Sequence, residues 1–326
     1  MRVFVTGGSG VVGGAVVRHL IQRGDRVRAL ARSRPAIATV AGLGADPIAG
    51  SVRDRAALAE GMAGVDVVFH VAGVNEMCVS DPGPMEAVNV DGTRRLLAVA
   101  EEVGVPRVVV TSSAAAIGEP HGTVGTETSP HRGWFLSHYE RSKYLQEQAA
   151  FAHEGDVEVV CVNPSSVQGP GRATGTGRII VDVLAGRIPL LPDAPVSMVD
   201  IDDCAEGHLL AAERGLPGRR YLLSAFTLTT RELLDLLGER VGIEPRVAYL
   251  PASVTRGLAR GVGAAERLVG ATLPAPVCGE MLRTLAFGHA YDGSLARSAL
   301  GLTHRSPEST LERLVAWFRA EGLLRV

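Results

Sequence analysis

At 326 residues the chain is longer than a usual single core, so we expect one large domain and a subsidiary region. Hydrophobic residues make up 46% of the sequence and aromatic residues 4%, which is typical of a globular α/β protein. The 33 Lys and Arg residues nearly balance the 35 Asp and Glu residues. This balance argues against a nucleic-acid groove and against a polybasic membrane surface.

Cysteine spacing and the amino terminus indicate the compartment. The four cysteines are far apart and form no C-x-x-C pair, so we predict reduced, buried thiols and neither a disulfide framework nor a zinc site. They are Cys78, Cys161, Cys204 and Cys278. No signal-peptide pattern follows Met1 and no apolar run approaches the ~20 residues that span a bilayer. We therefore expect a cytoplasmic protein without a membrane partner.

Short apolar runs alternate with helical periodicity in the first half of the chain. Strands are predicted at 2–6, 26–31, 48–52, 65–71, 107–111 and 157–162, and helices at 11–23, 55–62, 84–103 and 139–153. Residues 198–212 look helical after a short strand, 221–224 would add a last strand, and the chain from 227 onward is mostly helical. Such alternation predicts a parallel, doubly wound sheet, because parallel neighbours need a crossover connection.

A glycine-rich turn joins the first strand to the first helix with the spacing G-x-x-G-x-x-G. Gly7 and Gly10 let the backbone turn tightly, and Gly13 lets the helix approach the sheet. The helix N-terminus offers free N–H groups and the positive end of its dipole to a diphosphate. The predicted phosphate-binding residues are Thr6, Gly7, Gly10, Val11, Val12 and Gly13. The turn therefore predicts a dinucleotide site of the Rossmann type.

The residues at the end of the second strand indicate whether the cofactor is NAD(H) or NADP(H), because they contact its adenine ribose. Enzymes that use NAD usually place Asp or Glu there, whereas this chain has Ala31 followed by Arg32. A guanidinium binds a 2′-phosphate in bidentate fashion. We therefore predict NADP(H) as the preferred cofactor, with NAD(H) as the alternative.

A phenol and an ammonium lie four residues apart in the helix at 139–153. Tyr139 and Lys143 share one helix face, and the ammonium is expected to stabilise the phenolate and lower the pKa of Tyr139. Tyr139 would then exchange a proton with a carbonyl or alcohol oxygen. The strand at 107–111 leads into two serines, and we expect Ser113, with Ser112 as the alternative, to hydrogen-bond the substrate oxygen.

With these motifs the chain resembles the extended short-chain dehydrogenase/reductase family, which includes the NAD-dependent epimerase/dehydratase group. The matching segments cover nearly the whole chain: 6–13, 69–73, 89–93, Ser113, Tyr139 with Lys143, 163–167 before Gly169 and Pro170, and 291–301. The resemblance implies that Ser113, Tyr139 and Lys143 form the catalytic set. It implies that Asn89 occupies a helix kink and holds a proton-relay water.

The resemblance also implies further cofactor contacts. Residues 70–73 would line the adenine-ribose side and residues 164–166 would lie beside the nicotinamide. The predicted contacts beyond the glycine turn and Arg32 are Ser51, Val52, Val71, Ala72, Gly73, Ser112, Tyr139, Lys143, Pro164, Ser165 and Ser166. Relatives commonly carry Asp where Ser51 stands, so this chain departs from the family at its adenine contact.

We therefore predict an α/β protein: a Rossmann-like, doubly wound parallel sheet with a smaller, mostly helical substrate-capping region. The NADP-binding domain would comprise 1–164 and 198–224, and the substrate-binding region 165–197 and 225–326. The expected activity is NADPH-dependent reduction of a ketone or aldehyde, or oxidation of the alcohol. The alternatives are a nucleotide-sugar epimerase with bound NAD and a non-catalytic regulator that senses NADP(H).

The predicted partner is a small carbonyl or alcohol substrate; no nucleic acid is expected, and the resemblance implies a homodimer. Trp134 and Phe135 would line the substrate pocket or pack in the core. His121, His131 and His138 have no metal-ligand spacing, so we expect no metal.

Overall fold

A computed structural model describes residues 1–242, 245–274 and 277–324. The strands are, in chain order, β1 (Arg2–Thr6), β2 (Arg26–Ala31), β3 (Asp46–Ala49), β4 (Val67–His70), β5 (Arg107–Thr111), β6 (Val124–Gly125), β7 (Glu158–Pro164), β8 (Ser166–Gln168), β9 (Leu190–Pro192), β10 (Pro195–Asp200), β11 (Arg220–Leu223), β12 (Phe226–Thr229), β13 (Ala248–Leu250) and β14 (Ala290–Tyr291).

The α-helices are, in chain order, α1 (Val11–Gln22), α2 (Arg34–Gly42), α3 (Arg55–Met62), α4 (Gly83–Glu86), α5 (Gly92–Glu102), α6 (His138–Phe151), α7 (Thr176–Leu184), α8 (Ile201–Arg214), α9 (Thr230–Val241), α10 (Ala252–Val269), α11 (Gly279–Phe287) and α12 (Pro307–Ala320). Ala87–Asp91 and Ala296–Leu300 are π-helical, and Ala114–Ile117 is a 3₁₀ turn. Within the described ranges no helix is both long and apolar enough to cross a membrane.

A seven-stranded parallel sheet forms the centre of the molecule, in the order β11-β7-β5-β4-β1-β2-β3. Helices α1 and α8 cover one face of the sheet, and helices α3 and α5 cover the other. From β1 the chain first builds outward to β3 and then crosses to β4 on the other side of β1. This reversal creates a crevice at the carboxyl ends of β1 and β4, where doubly wound sheets bind ligands.

The second half of the chain adds smaller sheets beside this crevice. Strand β10 pairs with β8 in parallel and with β12 antiparallel, and β9 pairs with β13. A separate hydrophobic cluster of α7, α9 and α12 lies behind these strands, with Ile180, Leu237 and Phe318 among its buried members. The Rossmann-like α/β architecture is thus confirmed, and the proposed division into two domains stays a prediction.

Several predicted elements have the predicted bounds, namely strands β1, β2 and β5 and helix α3. The third strand is shifted, since β3 ends at Ala49. Helix α2 was not predicted, although Ser33 accepts a hydrogen bond from the Ala36 N–H as its N-cap and Pro35 occupies its first turn. The single helix predicted at 84–103 contains the π-helical turn at Ala87–Asp91.

The prediction that all four cysteines are reduced is wrong for two of them. Cys78 and Cys278 form a disulfide, with their Cα atoms 5.8 Å apart although 200 residues separate them in sequence. The fold brings together the loop before α4 and the N-cap of α11, a juxtaposition that cysteine spacing cannot reveal. Cys161 and Cys204 are buried free thiols, as predicted.

We expect Cys278→Ser to lower the free energy of unfolding by about 2–4 kcal/mol, because the disulfide no longer restricts the unfolded chain. Urea unfolding of the variant and of the wild type, each with and without a dithiol reductant, measures this. The reductant should destabilise the wild type and leave the variant unchanged. Equal unfolding midpoints for wild type and variant without reductant would contradict the stabilising role.

Candidate active site

A cavity of about 1170 Å³ runs along the carboxyl edge of the central sheet. Most of the predicted site residues line it together: Gly7, Gly10, Val11, Val12, Gly13, Arg32, Ser51, Val52, Val71, Ala72, Gly73, Ser112, Ser113, Tyr139, Lys143, Pro164, Ser165 and Ser166. Thr6 and Asn89 are buried and lie outside this lining. One cavity therefore unites the glycine turn with the Tyr139 and Lys143 pair.

The glycine turn is a cradle that side chains would fill. Gly7 has φ +74°, and a Cβ there would lie 2.6 Å from the backbone nitrogen of Ala72. A Cβ on Gly13 would lie 2.1 Å from the carbonyl oxygen of Gly7. Gly10 is the N-cap of α1 and offers no side chain to its first N–H groups. These free N–H groups and the space above them fit the diphosphate of a dinucleotide.

Two arginines lie at the end of the cavity that follows β2 and β3. Arg32 and Arg53 both line it, and within the described residues neither side chain forms an ion pair or hydrogen bond. Ser51 accepts a hydrogen bond from the Arg53 N–H at 3.2 Å, so its hydroxyl is engaged in its own loop. Arg53 was missed by the sequence analysis, because a single arginine after a strand carries no distinctive signal.

Lys143 is buried with most of its hydrogen-bonding capacity used. Its Nζ donates to the carbonyl oxygen of Thr111 at 3.0 Å and to Oε1 of Gln146 at 2.9 Å. Burial lowers the pKa of Lys143 to about 8, and the Glu147 carboxylate opposes this shift. The ammonium is thus held in place and stays mostly protonated at neutral pH, and it loses its proton as the pH rises through about 8.

A buried polar chain of five side chains (Lys143, Gln146, Thr93, His70 and Thr6) extends from this ammonium to the glycine turn. Gln146 Nε2 donates to Thr93 Oγ1 at 3.0 Å, and that hydroxyl donates to the Asn89 carbonyl oxygen at 2.7 Å. Thr93 Oγ1 must then accept from His70 Nε2, 2.9 Å away. His70 Nδ1 therefore accepts from the Thr6 hydroxyl at 2.8 Å.

The protonation of His70 agrees with this assignment. Burial, with a smaller contribution from the Lys143 charge, lowers the pKa of His70 to about 3, so the ring is neutral at physiological pH. Thr6 Oγ1 also accepts the Ala72 N–H at 3.1 Å, which fixes the loop after β4 against the glycine turn. The buried polar chain therefore holds the turn and helix α6 in a single arrangement.

Tyr139 lies in the first turn of α6, whose N-cap Ser137 accepts from the Glu140 N–H at 3.1 Å. Burial raises the pKa of the Tyr139 phenol; a side-chain hydrogen bond to Ser113 and the charge of Arg172 oppose this shift. The prediction that Lys143 lowers the pKa of Tyr139 is therefore wrong for the protein without a ligand. In the protein alone, desolvation outweighs the charges around the phenol.

The two serines after β5 differ in their surroundings. Ser113 Oγ accepts the Ala115 N–H at 3.2 Å and caps the 3₁₀ turn. Ser112 Oγ is buried without a hydrogen-bond partner in the described structure. Ser113, whose hydroxyl opposes the raised pKa of the Tyr139 phenol, is therefore the better candidate for the substrate oxygen.

Asn89 lies in the π-helical turn, as the expected helix kink requires. Its Oδ1 accepts the Val74 N–H at 2.7 Å, and its Nδ2 donates to the Val74 carbonyl oxygen and to Ser142 Oγ, both at 3.0 Å. Both amide protons are thus used to join the loop after β4 to helix α6. The proton-relay role of Asn89 stays a prediction.

Two further cavity residues, and a buried carboxylate that contacts one of them, were missed by the sequence analysis. His289 and Tyr291 line the cavity, and His289 Nδ1 lies 2.6 Å from Oε1 of buried Glu119. The Tyr291 hydroxyl lies 3.1 Å from the same ring nitrogen. Because 170 residues separate His289 from Glu119, no local spacing signals this cluster.

The aromatic residues before Tyr139 lie outside the cavity lining. Trp134 is half exposed and meets Phe287 edge-on, with ring centroids 6.1 Å apart. Phe135 packs against Tyr144, with centroids 5.5 Å apart. Trp134 and Phe135 were predicted either to line the pocket or to pack in the core, and neither lines the pocket. Proximity to Tyr139 in sequence does not orient a side chain toward the cavity.

The three histidines named above lie in separate surroundings. His121 packs edge-on against Phe287, His131 Nδ1 accepts the Gly133 N–H, and His138 Nε2 lies 3.7 Å from Glu280. Across the described residues, no group of three or more His, Cys, Asp or Glu side chains is arranged to hold a metal ion.

Comparison with known proteins identifies relatives along nearly the full chain. The family model described as the NAD dependent epimerase/dehydratase family matches residues 3–224. The chain is 31% identical to sterol demethylase protein B of Methylococcus capsulatus, over 99% of this chain and 100% of that protein. It is 33% identical to a putative dihydroflavonol 4-reductase of a Synechocystis species, over 99% and 96% of the two chains. The crystal structure of gox2253 matches with a TM-score of 0.88 and 33% identity, covering 99% of each chain.

We expect Gly13→Ala to weaken dinucleotide binding by about tenfold or more, because its Cβ would collide with the turn. Gly14→Ala is the matched control, since its Cβ would lie 3.4 Å from the Gly8 carbonyl oxygen, its nearest neighbour. Titration calorimetry with NADPH compares the two variants. Equal affinities for the two variants would show that the cradle does not hold the cofactor.

Proposed function

We propose, from the premise that this chain belongs to the NAD-dependent epimerase/dehydratase family and is an NAD(P)-dependent oxidoreductase, that it reduces a ketone or aldehyde with NADPH or oxidises the corresponding alcohol. The observation that carries the proposal is the meeting of Ser113, Tyr139 and Lys143 in the cavity that also contains the glycine turn. When bound, NADP(H) supplies or accepts the hydride.

The chain's own residues perform the proton transfer. Ser113 hydrogen-bonds the substrate oxygen and orients it toward Tyr139. The Tyr139 hydroxyl donates its proton to the oxygen of a carbonyl under reduction, and in the reverse direction the phenolate accepts a proton from the alcohol. Lys143, one helical turn further along α6, stabilises the phenolate by its positive charge. Burial of the site strengthens these interactions.

The preference for NADP(H) rests on the two arginines that follow β2 and β3. Arg32 and Arg53 face the cavity and Ala31 stands where a carboxylate would repel a 2′-phosphate. Two guanidinium groups that have no competing partner among the described residues provide charge-assisted hydrogen bonds to such a phosphate. NAD(H) is the alternative, because the glycine turn accepts either dinucleotide.

The substrate end of the cavity favours a bulky apolar carbonyl compound. Its lining includes Leu136, Ile180, Leu191, Leu233 and Met281. Apolar side chains gain from covering an apolar molecule and provide no partners for the sugar and phosphate groups of a nucleotide sugar. This lining supports a reductase over a nucleotide-sugar epimerase. The proton-donating geometry at Tyr139 supports turnover over a purely sensory role.

We expect Tyr139→Phe to lower the rate of NADPH oxidation with apolar ketones by about 100-fold or more, since the proton donor is lost. Tyr144→Phe is the matched control, because Tyr144 lies on the same helix and packs against His131 and Phe135. The affinity for NADPH should stay unchanged in both variants. Turnover by Tyr139→Phe at the wild-type rate would rule out Tyr139 as the proton donor.

The pKa of Lys143 sets the alkaline limit of this activity. The ammonium is present below about pH 8 and is lost as the pH rises through that value, so the reduction rate should fall above about pH 8. The pH profile of kcat for the wild type and for Lys143→Arg measures this. A guanidinium stays protonated to pH 12, so the variant, although slower, should lack this alkaline fall. The same fall in both proteins would assign it to another group.

A further inference from the structure

The loop from Gly169 to Gly175, between β8 and α7, brings an unpaired cation into the cavity. Arg172 lines the cavity, and its Nε is buried without a hydrogen-bond partner. In the described part of the chain no carboxylate pairs with this guanidinium. Lys143, which lines the same cavity and is buried, has two hydrogen-bond acceptors. Arg172 is therefore a partly buried cation without a carboxylate partner among the residues that the structure describes.

A partly buried charge without a partner is unfavourable, and an incoming anion would stabilise it. Burial lowers the pKa of Arg172, yet an arginine keeps its proton at physiological pH. Partial desolvation of a charge is unfavourable unless an opposite charge or a hydrogen-bond acceptor compensates it. A position of this kind in a ligand cavity is consistent with a site that is completed by an anionic group of the ligand.

Glycines allow the loop that carries Arg172 to pack closely against the residues around it. A Cβ on Gly177 would lie 2.4 Å from the Arg172 carbonyl oxygen, and one on Gly175 would lie 3.0 Å from a terminal guanidinium nitrogen. Gly171 has φ +92°, and its Cβ would lie 3.9 Å from Cγ1 of Val11. The loop thus approaches the N-terminus of α1, next to the glycine turn.

The start of α1 lacks a cationic side chain. Its first residues are Val11, Val12 and Gly13, so the helix offers N–H groups and its dipole but no full positive charge. A dinucleotide diphosphate carries two negative charges. The adjacent Arg172 would provide one of the positive charges that this turn lacks.

We propose that Arg172 binds the diphosphate of the cofactor, closing the cofactor site from the loop between β8 and α7. This inference rests on the proposed function, because that function brings a dinucleotide diphosphate to the N-terminus of α1. Arg172 and the α1 N–H groups then contact the same anion, and Arg32 with Arg53 contact the 2′-phosphate.

Titration calorimetry with three ligands distinguishes the contact of Arg172 with the diphosphate from that of Arg32 with the 2′-phosphate. NADPH and 2′-phospho-ADP-ribose both contain the diphosphate, whereas adenosine 2′,5′-bisphosphate keeps the 2′-phosphate and has a single phosphate at the 5′ position. Arg172→Met should bind the first two ligands about 10- to 100-fold more weakly and the third nearly as tightly as the wild type. Arg32→Ala, the matched control, should weaken all three.

A second variant and a kinetic measurement distinguish a cofactor contact from a structural role or a substrate contact. Arg172→Lys should regain part of the lost NADPH affinity, which a merely structural role would not require. KM is also measured for two substrates, an apolar ketone that carries a carboxylate and the methyl ester of that ketone. The ratio of these two KM values should be the same in Arg172→Met as in the wild type. Unchanged NADPH affinity would overturn the inference, and a changed KM ratio in that case would assign Arg172 to a substrate anion. Failure of the wild type to bind any of the three ligands would instead overturn the proposed function itself.

Discussion

The arrangement of the site depends on the buried polar chain that joins Thr6 to Lys143. His70, Thr93 and Gln146 have no solvent to replace a lost partner, so a displaced member would leave a buried polar group unsatisfied. The single proton of the Thr93 hydroxyl determines the direction of the neighbouring hydrogen bonds and, through them, the tautomer of His70. The glycine turn and helix α6 are therefore positioned together.

This constraint explains how one cavity combines two chemistries. The turn at the start of α1 requires close backbone approach, which Gly7 and Gly13 permit. The proton-transfer groups require burial, which raises the pKa of Tyr139 and lowers that of Lys143. Because its inner members His70, Thr93 and Gln146 find their hydrogen-bond partners within the protein, the buried polar chain fixes both parts in one arrangement.

The parts of the site that are predictable from sequence are those built from neighbouring residues. The glycine turn lies within one strand–helix junction, and Tyr139 with Lys143 lies within one helical turn, so spacing alone indicates their geometry. The pairing of Cys78 with Cys278 and of Glu119 with His289 joins distant segments, and no local pattern encodes it. Arg172 was missed because only the structure shows that, among the described residues, no carboxylate pairs with it.

A crystal structure with bound NADP⁺ tests the central claim most directly, namely that one cavity brings the dinucleotide to the proton donor. The account predicts the diphosphate at the N-terminus of α1, the 2′-phosphate at Arg32 and Arg53, and the nicotinamide between Ser165 and Tyr139. A dinucleotide bound elsewhere, or with its nicotinamide directed away from Tyr139, would contradict the account.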